Sequence, residues 1–359
     1  MPLAALLGVA VGSRRTSMRR SQEDDNVSAL QDAISPACDA HGGANISAPV
    51  AASPFSLALM ASRLAARQSS ADTDDGADAV LATDIAQLLA EDSVYTPKDI
   101  ADFLHQLPHL DPKTVGRVLG EPDPRALQVL QEYANGFIFK GFSFDVALRV
   151  YLGRFVLPGE AQKIDRILQA FAKAYFAANP DCAVCTSEDA AYTLAFSVVL
   201  LNTDAHNPRL AKHLKMNKDD FIRNHRRIVV DGQKIPRDYL GRCFDSFSTY
   251  PIQLIPRKRP TMLKDELELT FADGPMGVDI ETSFDGRTCS IKRYAVPHRH
   301  ILCSRDGRLP DLTGYVIVAV ADDCTQQIGY LLTRYLLKTA ARPVTIRLCE
   351  PSIYYASLS

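Results

Sequence analysis

The chain lacks a surplus of charge of either sign: 40 Lys and Arg stand against 42 Asp and Glu, a formal net charge of −2. That balance gives no reason to expect nucleic acid or an acidic substrate, and no nucleic acid is predicted as a partner. It also lacks the cysteine pattern of a metal site. Of eight Cys, only Cys182 and Cys185 form a CxxC, and no second pair completes a zinc ligand set. Asp204 and His206 add only two ligand types in a loop. No metal and no cofactor are therefore expected, and scattered thiols favour a reducing, cytosolic compartment. Long apolar runs are missing too. The opening MPLAALLGVAVG has no positive charge before it and is too short to span a bilayer, so neither a signal peptide nor a membrane span is predicted. Arg14, Arg15, Arg19 and Arg20 beside Ser17 and Ser21 fit a presequence or a phosphorylation site, but a solvated tail is the preferred reading.

What is present is ordinary globular material, 47% hydrophobic and 23% charged over 359 residues, enough for two domains. Residues 1–76, rich in Ala, Ser, Asp and Gly, show no sustained period and read as a largely disordered tail. From about Leu81 apolar residues recur at helical spacing between breakers, in LATDIAQLLAED, TPKDIADFLHQL, DPKTVGRVLG, DPRALQVLQEYANGF and SFDVALRVYLGRF. Several begin with Thr, Ser or Asp, sometimes followed by Pro, as helix starts do. A helix from Glu160 buries Ile164, Ile167, Leu168, Phe171 and Tyr175 and leaves Lys163, Asp165, Arg166 and Lys173 for solvent or a partner. The next, SEDAAYTLAFSVVLLNTDAHNP, is apolar all round between Ala190 and Leu201 and is expected at the centre. After PIQLIPRKRP the period changes to that of strands, in ELELTF, VDIETS, TCSIKRY, YVIVAV and PVTIRL, with one helix, QQIGYLLTRYLLK, before the last. The domains read as 77–255 helical, 256–263 a basic linker, 264–351 β-rich, and 352–359 a C-terminal tail.

Two motifs carry the function. A lone carboxylate at Glu160, in the first turn of a helix, is favoured by about 0.3–1 kcal/mol through the macrodipole and alone signals nothing more. Asn202, Thr203, Asp204, His206 and Asn207 likewise suffice to cap a helix and form an Asx turn before Pro208. Together, however, FVLPGEAQKIDR at 155–166, SEDAAYTLAFSVVLLNTDAHNP at 187–208 and KMNKDDFIRNHRRI at 215–228 closely resemble, in order and spacing, the signature of the Sec-seven domain of Arf guanine-nucleotide exchange factors. The resemblance implies an all-α right-handed superhelix of about ten helices. It implies that Glu160 is a finger that expels GDP, and that Phe196, Leu200, Asn202, Asp204, Asn207 and Met216 wall a groove for the GTPase. The implied partner is an Arf-type small GTPase, GDP-bound and nucleotide-free. The implied setting is the cytoplasm, with peripheral recruitment to Golgi or endosomal membranes. Val156 stands where the family usually has Arg, and Ala205 replaces a common Leu, which predicts slower exchange or altered GTPase choice. No Ser or Cys nucleophile sits with a base in a recognisable motif, so covalent chemistry is not expected. The alternative is a scaffold that binds a GTPase without exchanging it.

A pleckstrin-homology module often follows such a domain, but it ends in a helix usually carrying Trp, and this chain has none. ELELTFADGPMGVDIE at 266–281 instead resembles the opening of a PDZ domain, which implies a small α+β fold. In that resemblance Met276, Gly277 and Val278 receive the carboxylate of a C-terminal peptide that pairs with the strand following them. Tyr330 reads a ligand side chain, and Leu337 lines the apolar pocket. Arg257, Lys258 and Arg259 in the linker offer a weak contact to an anionic membrane.

Overall fold

The computed structural model describes residues 85, 87–89, 95–107, 111–182, 184–226, 235–255, 266–274, 276–283, 286–294, 301–303 and 311–357. The tail at 1–76 and the basic linker lie outside the described residues. Among those described, ten α-helices and a seven-stranded sheet follow one another. No helix is long and apolar enough to cross a membrane.

The helical part holds α1 (Pro97–Gln106), α2 (Pro112–Leu119), α3 (Pro124–Asn135), α4 (Phe144–Leu152), α5 (Ala161–Ala178), α6 (Glu188–His206), α7 (Lys218–Arg226) and α8 (Arg237–Thr249). Four of these start where the sequence supplies a cap. Thr96, Asp111, Asp123 and Ser187 each accept a hydrogen bond from a backbone N–H of the following turn, and Pro97, Pro112 and Pro124 open the first three helices. In α6, Ala190–Phe196, Val198, Val199 and Leu201 are all buried, as its apolar circumference predicts. In α4 every residue except Asp145 is buried, Arg149 included.

The β-rich part forms one antiparallel sheet of β1 (Leu267–Phe271), β2 (Val278–Thr282), β3 (Cys289–Tyr294), β4 (Ile301–Cys303), β5 (Val316–Val320), β6 (Asp323–Cys324) and β7 (Val344–Cys349). The strand order is β2-β3-β5-β7-β1-β4, with β6 paired to β5. Helix α9 (Gly329–Thr339) packs on β2, β3 and β5. The five expected strands are present. β4 and β6, of three and two residues, are too short to show alternation. The expected C-terminal tail is corrected in part, because Pro351–Ala356 forms a further helix, α10, anchored by Tyr354, 1% exposed.

The two parts share a core. Val146 and Val150 of α4 and Ile255 cluster with Leu269, Ile291, Leu332 and Leu336. Phe142 lies against Tyr335, with ring centroids 4.8 Å apart. Arg154 binds Asp323 through two hydrogen bonds, 2.6 and 2.7 Å, with side chains 8% and 19% exposed. Arg149 ties the end of α8 to α4, donating to the carbonyls of Ser246, Tyr250 and Pro251 and lying 4.1 Å over the Phe247 ring.

Removing one partner of a buried ion pair leaves the other charge unpaired, which typically costs about 3–5 kcal/mol. Asp323→Asn is therefore expected to destabilise the protein by about 3 kcal/mol in urea unfolding, and to split one transition into two. A second expectation concerns acid. Burial lowers the pKa of His225 from 6.5 to about 4. Its neutral form is therefore built into the fold: stability is full above about pH 6.5 and falls towards pH 4, where the unfolded chain takes up a proton that the folded one refuses. The loss reaches up to about 3 kcal/mol, and His225→Gln should flatten that slope.

Candidate functional site

The chain leaving α4 is fixed before it reaches Glu160. Phe155 is 2% exposed and meets Tyr133 edge to face at 5.7 Å. The Val156 N–H donates to the Pro112 carbonyl at 3.0 Å. Gly116 gives α2 a bare surface there, since a Cβ on it would stand 2.4 Å from the Val156 carbonyl oxygen. Two residues of α5 grip the end of α2 beyond the loop: Arg166 Nε donates to the Gly120 carbonyl at 2.7 Å, and Lys163 Nζ to Glu121 at 2.7 Å.

At the tip the chain opens. A Cβ on Gly159 would meet nothing within 4 Å, and Gly159 is not among the residues with positive φ. It provides clearance, and the turn there needs no left-handed backbone. Glu160 is the N-cap of α5, yet its side chain makes no capping bond, unlike Thr96, Asp111, Asp123 and Ser187. Its carboxylate is 68% exposed and lies 3.1 Å from Lys163 Nζ. Lys163 itself is 7% exposed, and its pKa is raised, first by the hydrogen bond to Glu121 and then by that to Glu160. The helical pattern left Lys163 for solvent or a partner, and the structure instead buries it within the domain against Glu121. Its i,i+3 relation to Glu160 was legible, but Glu121, forty-two residues away, was not. Asp165 and Arg166 also turn inward, Asp165 accepting from the Tyr192 hydroxyl.

At the far end of α6 the polar residues serve the fold. Asn202 Oδ1 accepts from the Ile252 N–H at 2.8 Å, Asp204 Oδ2 from the Met216 N–H at 2.6 Å, and Asn207 Oδ1 from the Arg209 N–H at 2.9 Å. His206 Nε2 bonds the Phe247 carbonyl at 2.7 Å. The bonds of Asp204 and Asn207 hold the α6–α7 loop in place, and those of Asn202 and His206 tie α6 to α8 and the segment after it. Of the six residues expected to wall the groove, Phe196 is buried, 5% exposed, beside Tyr192, while Leu200 and Met216 are partly exposed. Leu214, 49% exposed, which the motifs did not single out, and Val156, 38% exposed, add apolar surface.

A cleft lies between β2 and α9. Met276, Gly277, Val278, Tyr330 and Leu337, the five residues expected to bind peptide, all line one cleft of about 890 Å³, together with Asp279, Ile280, Lys292, Arg293, Arg334, Lys338 and Arg342. Among the described residues β2 is the terminal strand of the sheet, bonded on one side to β3. Gly277 adopts φ +62°, a backbone that a side chain would strain.

A family model, the Sec7 domain, matches residues 65–252, just over half of the chain, and the protein belongs to that family. It is 46% identical over 159 residues to the brefeldin A-inhibited guanine nucleotide-exchange protein 2 of Arabidopsis thaliana, covering 44% of this chain and 9% of that protein. It is 44% identical over 158 residues to the ankyrin repeat, PH and SEC7 domain containing protein secG of Dictyostelium discoideum, covering 44% and 16%. To the ARF guanine-nucleotide exchange factor GNOM of Arabidopsis thaliana it is 40% identical over 162 residues, covering 45% and 11%. The chain thus spans between 9% and 16% of the length of these relatives. Among solved structures, the N-terminal Sec7 domain of RalF is 33% identical, with TM-score 0.43, over 57% of this chain and 97% of that one. A Sec7 domain bound to ARF1-GDP and complexed with brefeldin A is 37% identical, with TM-score 0.40, over 44% and 78%.

The two glycines beside the loop separate close packing from clearance. In an open helical site Gly→Ala stabilises by up to about 1 kcal/mol. At Gly116 the 2.4 Å approach to backbone reverses the sign. Gly116→Ala is expected to lower stability by about 1–3 kcal/mol, whereas Gly159→Ala should leave the melting temperature unchanged.

Proposed function

We propose that the protein is a guanine-nucleotide exchange factor for Arf-type small GTPases, with Glu160 as the group that drives GDP out. The reading is supported by membership of the Sec7 domain family and by relatives that are named as guanine-nucleotide exchange factors, GNOM among them as one for ARF. The observation that carries it is a carboxylate held outward, without a capping bond, at the tip of a loop whose base is bonded to α2.

The partner's GDP is held by Mg²⁺ and a phosphate-binding Lys. A carboxylate brought to about 4 Å from the phosphates, at an effective dielectric of about 20, opposes them by ~4 kcal/mol, roughly a thousandfold in affinity. Glu160 is 68% exposed although Lys163 beneath it is buried, and Lys163 is also bound to Glu121, so the pair orients the carboxylate without neutralising it. Leu200, Met216, Leu214 and Val156 offer apolar contact to the switch regions. Asn202, Asp204 and Asn207 act by shaping the groove edge, and Phe196 by supporting it from beneath. No bond is made or broken. The factor stabilises a nucleotide-free partner until GTP displaces it.

The setting proposed is the cytoplasm, with peripheral attachment to Golgi or endosomal membranes, to which Arg257, Lys258 and Arg259 contribute weak attraction. The β2–α9 cleft is proposed to take the carboxyl end of a peptide as an added strand. The free edge of β2 and the positive φ of Gly277 support that reading.

Release of fluorescent GDP from purified Arf measures the main proposal. Wild type should accelerate release, and Glu160→Lys should lower the accelerated rate about a hundred- to thousandfold. Equal rates for both proteins would leave a GTPase-binding scaffold in its place.

A further inference from the structure

The chain as a whole is nearly neutral, 40 basic against 42 acidic residues, but the β2–α9 cleft is not. Its lining holds five cations, Lys292, Arg293, Arg334, Lys338 and Arg342, and one carboxylate, Asp279. That carboxylate is already matched, since Arg293 donates to it at 2.8 Å. Lys292, Arg334 and Lys338 are exposed, with their charges available to whatever enters. Arg342 is different. It follows α9 in sequence, is partly buried, and has a buried Nη1 with no hydrogen-bond partner among the described residues. Burial lowers its pKa while the charge of Asp273 raises it. A buried guanidinium nitrogen without an acceptor is costly unless a ligand supplies one.

From this juxtaposition we infer that the cleft selects acidic peptides: extended segments ending in a free carboxylate, with Asp or Glu in the residues just before it. The inference rests on the reading of this cleft as a strand-pairing peptide site. A peptide is the occupant, in preference to an anionic headgroup, for two reasons. The edge of β2 offers a row of backbone donors and acceptors that an extended chain satisfies and a headgroup does not. The wall also includes Met276, Val278, Ile280 and Leu337, apolar side chains that suit alternate residues of a strand. The cations would lie along the ligand's flank, where complementary charge sets specificity and association rate.

The test uses the full chain and fluorescence anisotropy with four labelled hexapeptides ending in Val. One carries three Glu before the Val, one three Ser, one three Lys, and one is the Glu peptide amidated at its end. At low ionic strength the acidic free acid is expected to bind about tenfold or more tighter than the Ser peptide. Most of that advantage should vanish in 0.5 M salt, where the screening length falls to about 4 Å. The double variant Arg334→Glu with Lys338→Glu, both on exposed positions, should invert the preference towards the Lys peptide. Arg342→Gln should weaken the acidic peptide several-fold.

Equal binding of the acidic and Ser peptides would overturn the inference while leaving the peptide site intact. Failure of every peptide to bind would overturn the peptide site itself, and so would equal affinity for the free-acid and amidated forms as regards its carboxylate end. Binding to vesicles containing anionic lipid, lost in the double variant, with no peptide bound, would replace both with a membrane contact.

Discussion

Helix α4 is the constraint on which the rest of the molecule depends. It is buried almost throughout, packing on α5 on one side and sharing the core beneath the sheet and α9 on the other. A helix covered on both sides has little freedom to shift, because packed interiors tolerate displacement poorly. The chain that leaves it inherits this. Arg154, two residues past its end, is bound to Asp323 of the sheet, and Phe155 and Val156 are held by α3 and α2. Only then does the chain reach Glu160.

The electrostatics of the tip follow from that anchoring. A carboxylate on a free loop would lose entropy on engaging a partner and would find compensating charge elsewhere. Here Lys163, itself buried and bound to Glu121, sits beneath Glu160 as a fixed cation. The arrangement keeps the carboxylate beside a fixed cation while its side chain remains 68% exposed. Preorganisation of this kind lowers what a partner must supply in ordering. The α6–α7 loop is treated likewise. Asp204 and Asn207 spend their acceptors on nearby backbone N–H groups, so the surface offered there is set before any partner arrives.

How much of this was legible depended on whether a feature was local. The caps Thr96, Asp111, Asp123 and Ser187 are read directly from short-range chemistry, as is the apolar circumference of α6. The strands with clear alternation were likewise visible, and β4 and β6 were too short to carry a period. Lys163 was misassigned because burial by Glu121 and Gly120 is a tertiary fact, and periodicity sees only the helix's own faces. Phe196, read from the motif as part of the groove wall, is 5% exposed and lies beside Tyr192, a burial in keeping with the apolar circumference of α6. Glu160 and the five peptide-site residues came from motif resemblance. The cations of the cleft did not, since Lys292, Arg334 and Arg342 come from three separate segments and meet only in the fold.

The shared core also bears on how the two proposed sites relate. The α9 helix walls the cleft with Tyr330 and Leu337 and, through Tyr335, touches Phe142 just ahead of α4. It is tempting to read a switch into such a path. A ligand shifts a conformation only by binding two states unequally, and that requires an element with two arrangements. The contacts here describe one: a bidentate buried ion pair, a continuous apolar cluster and a loop bonded at its base. If both proposed readings hold, a peptide in the cleft would bring Glu160 to wherever that peptide is displayed, and raise its effective concentration there. Rigid attachment suits that role, because a tethered site gains most when its orientation is fixed along with its position.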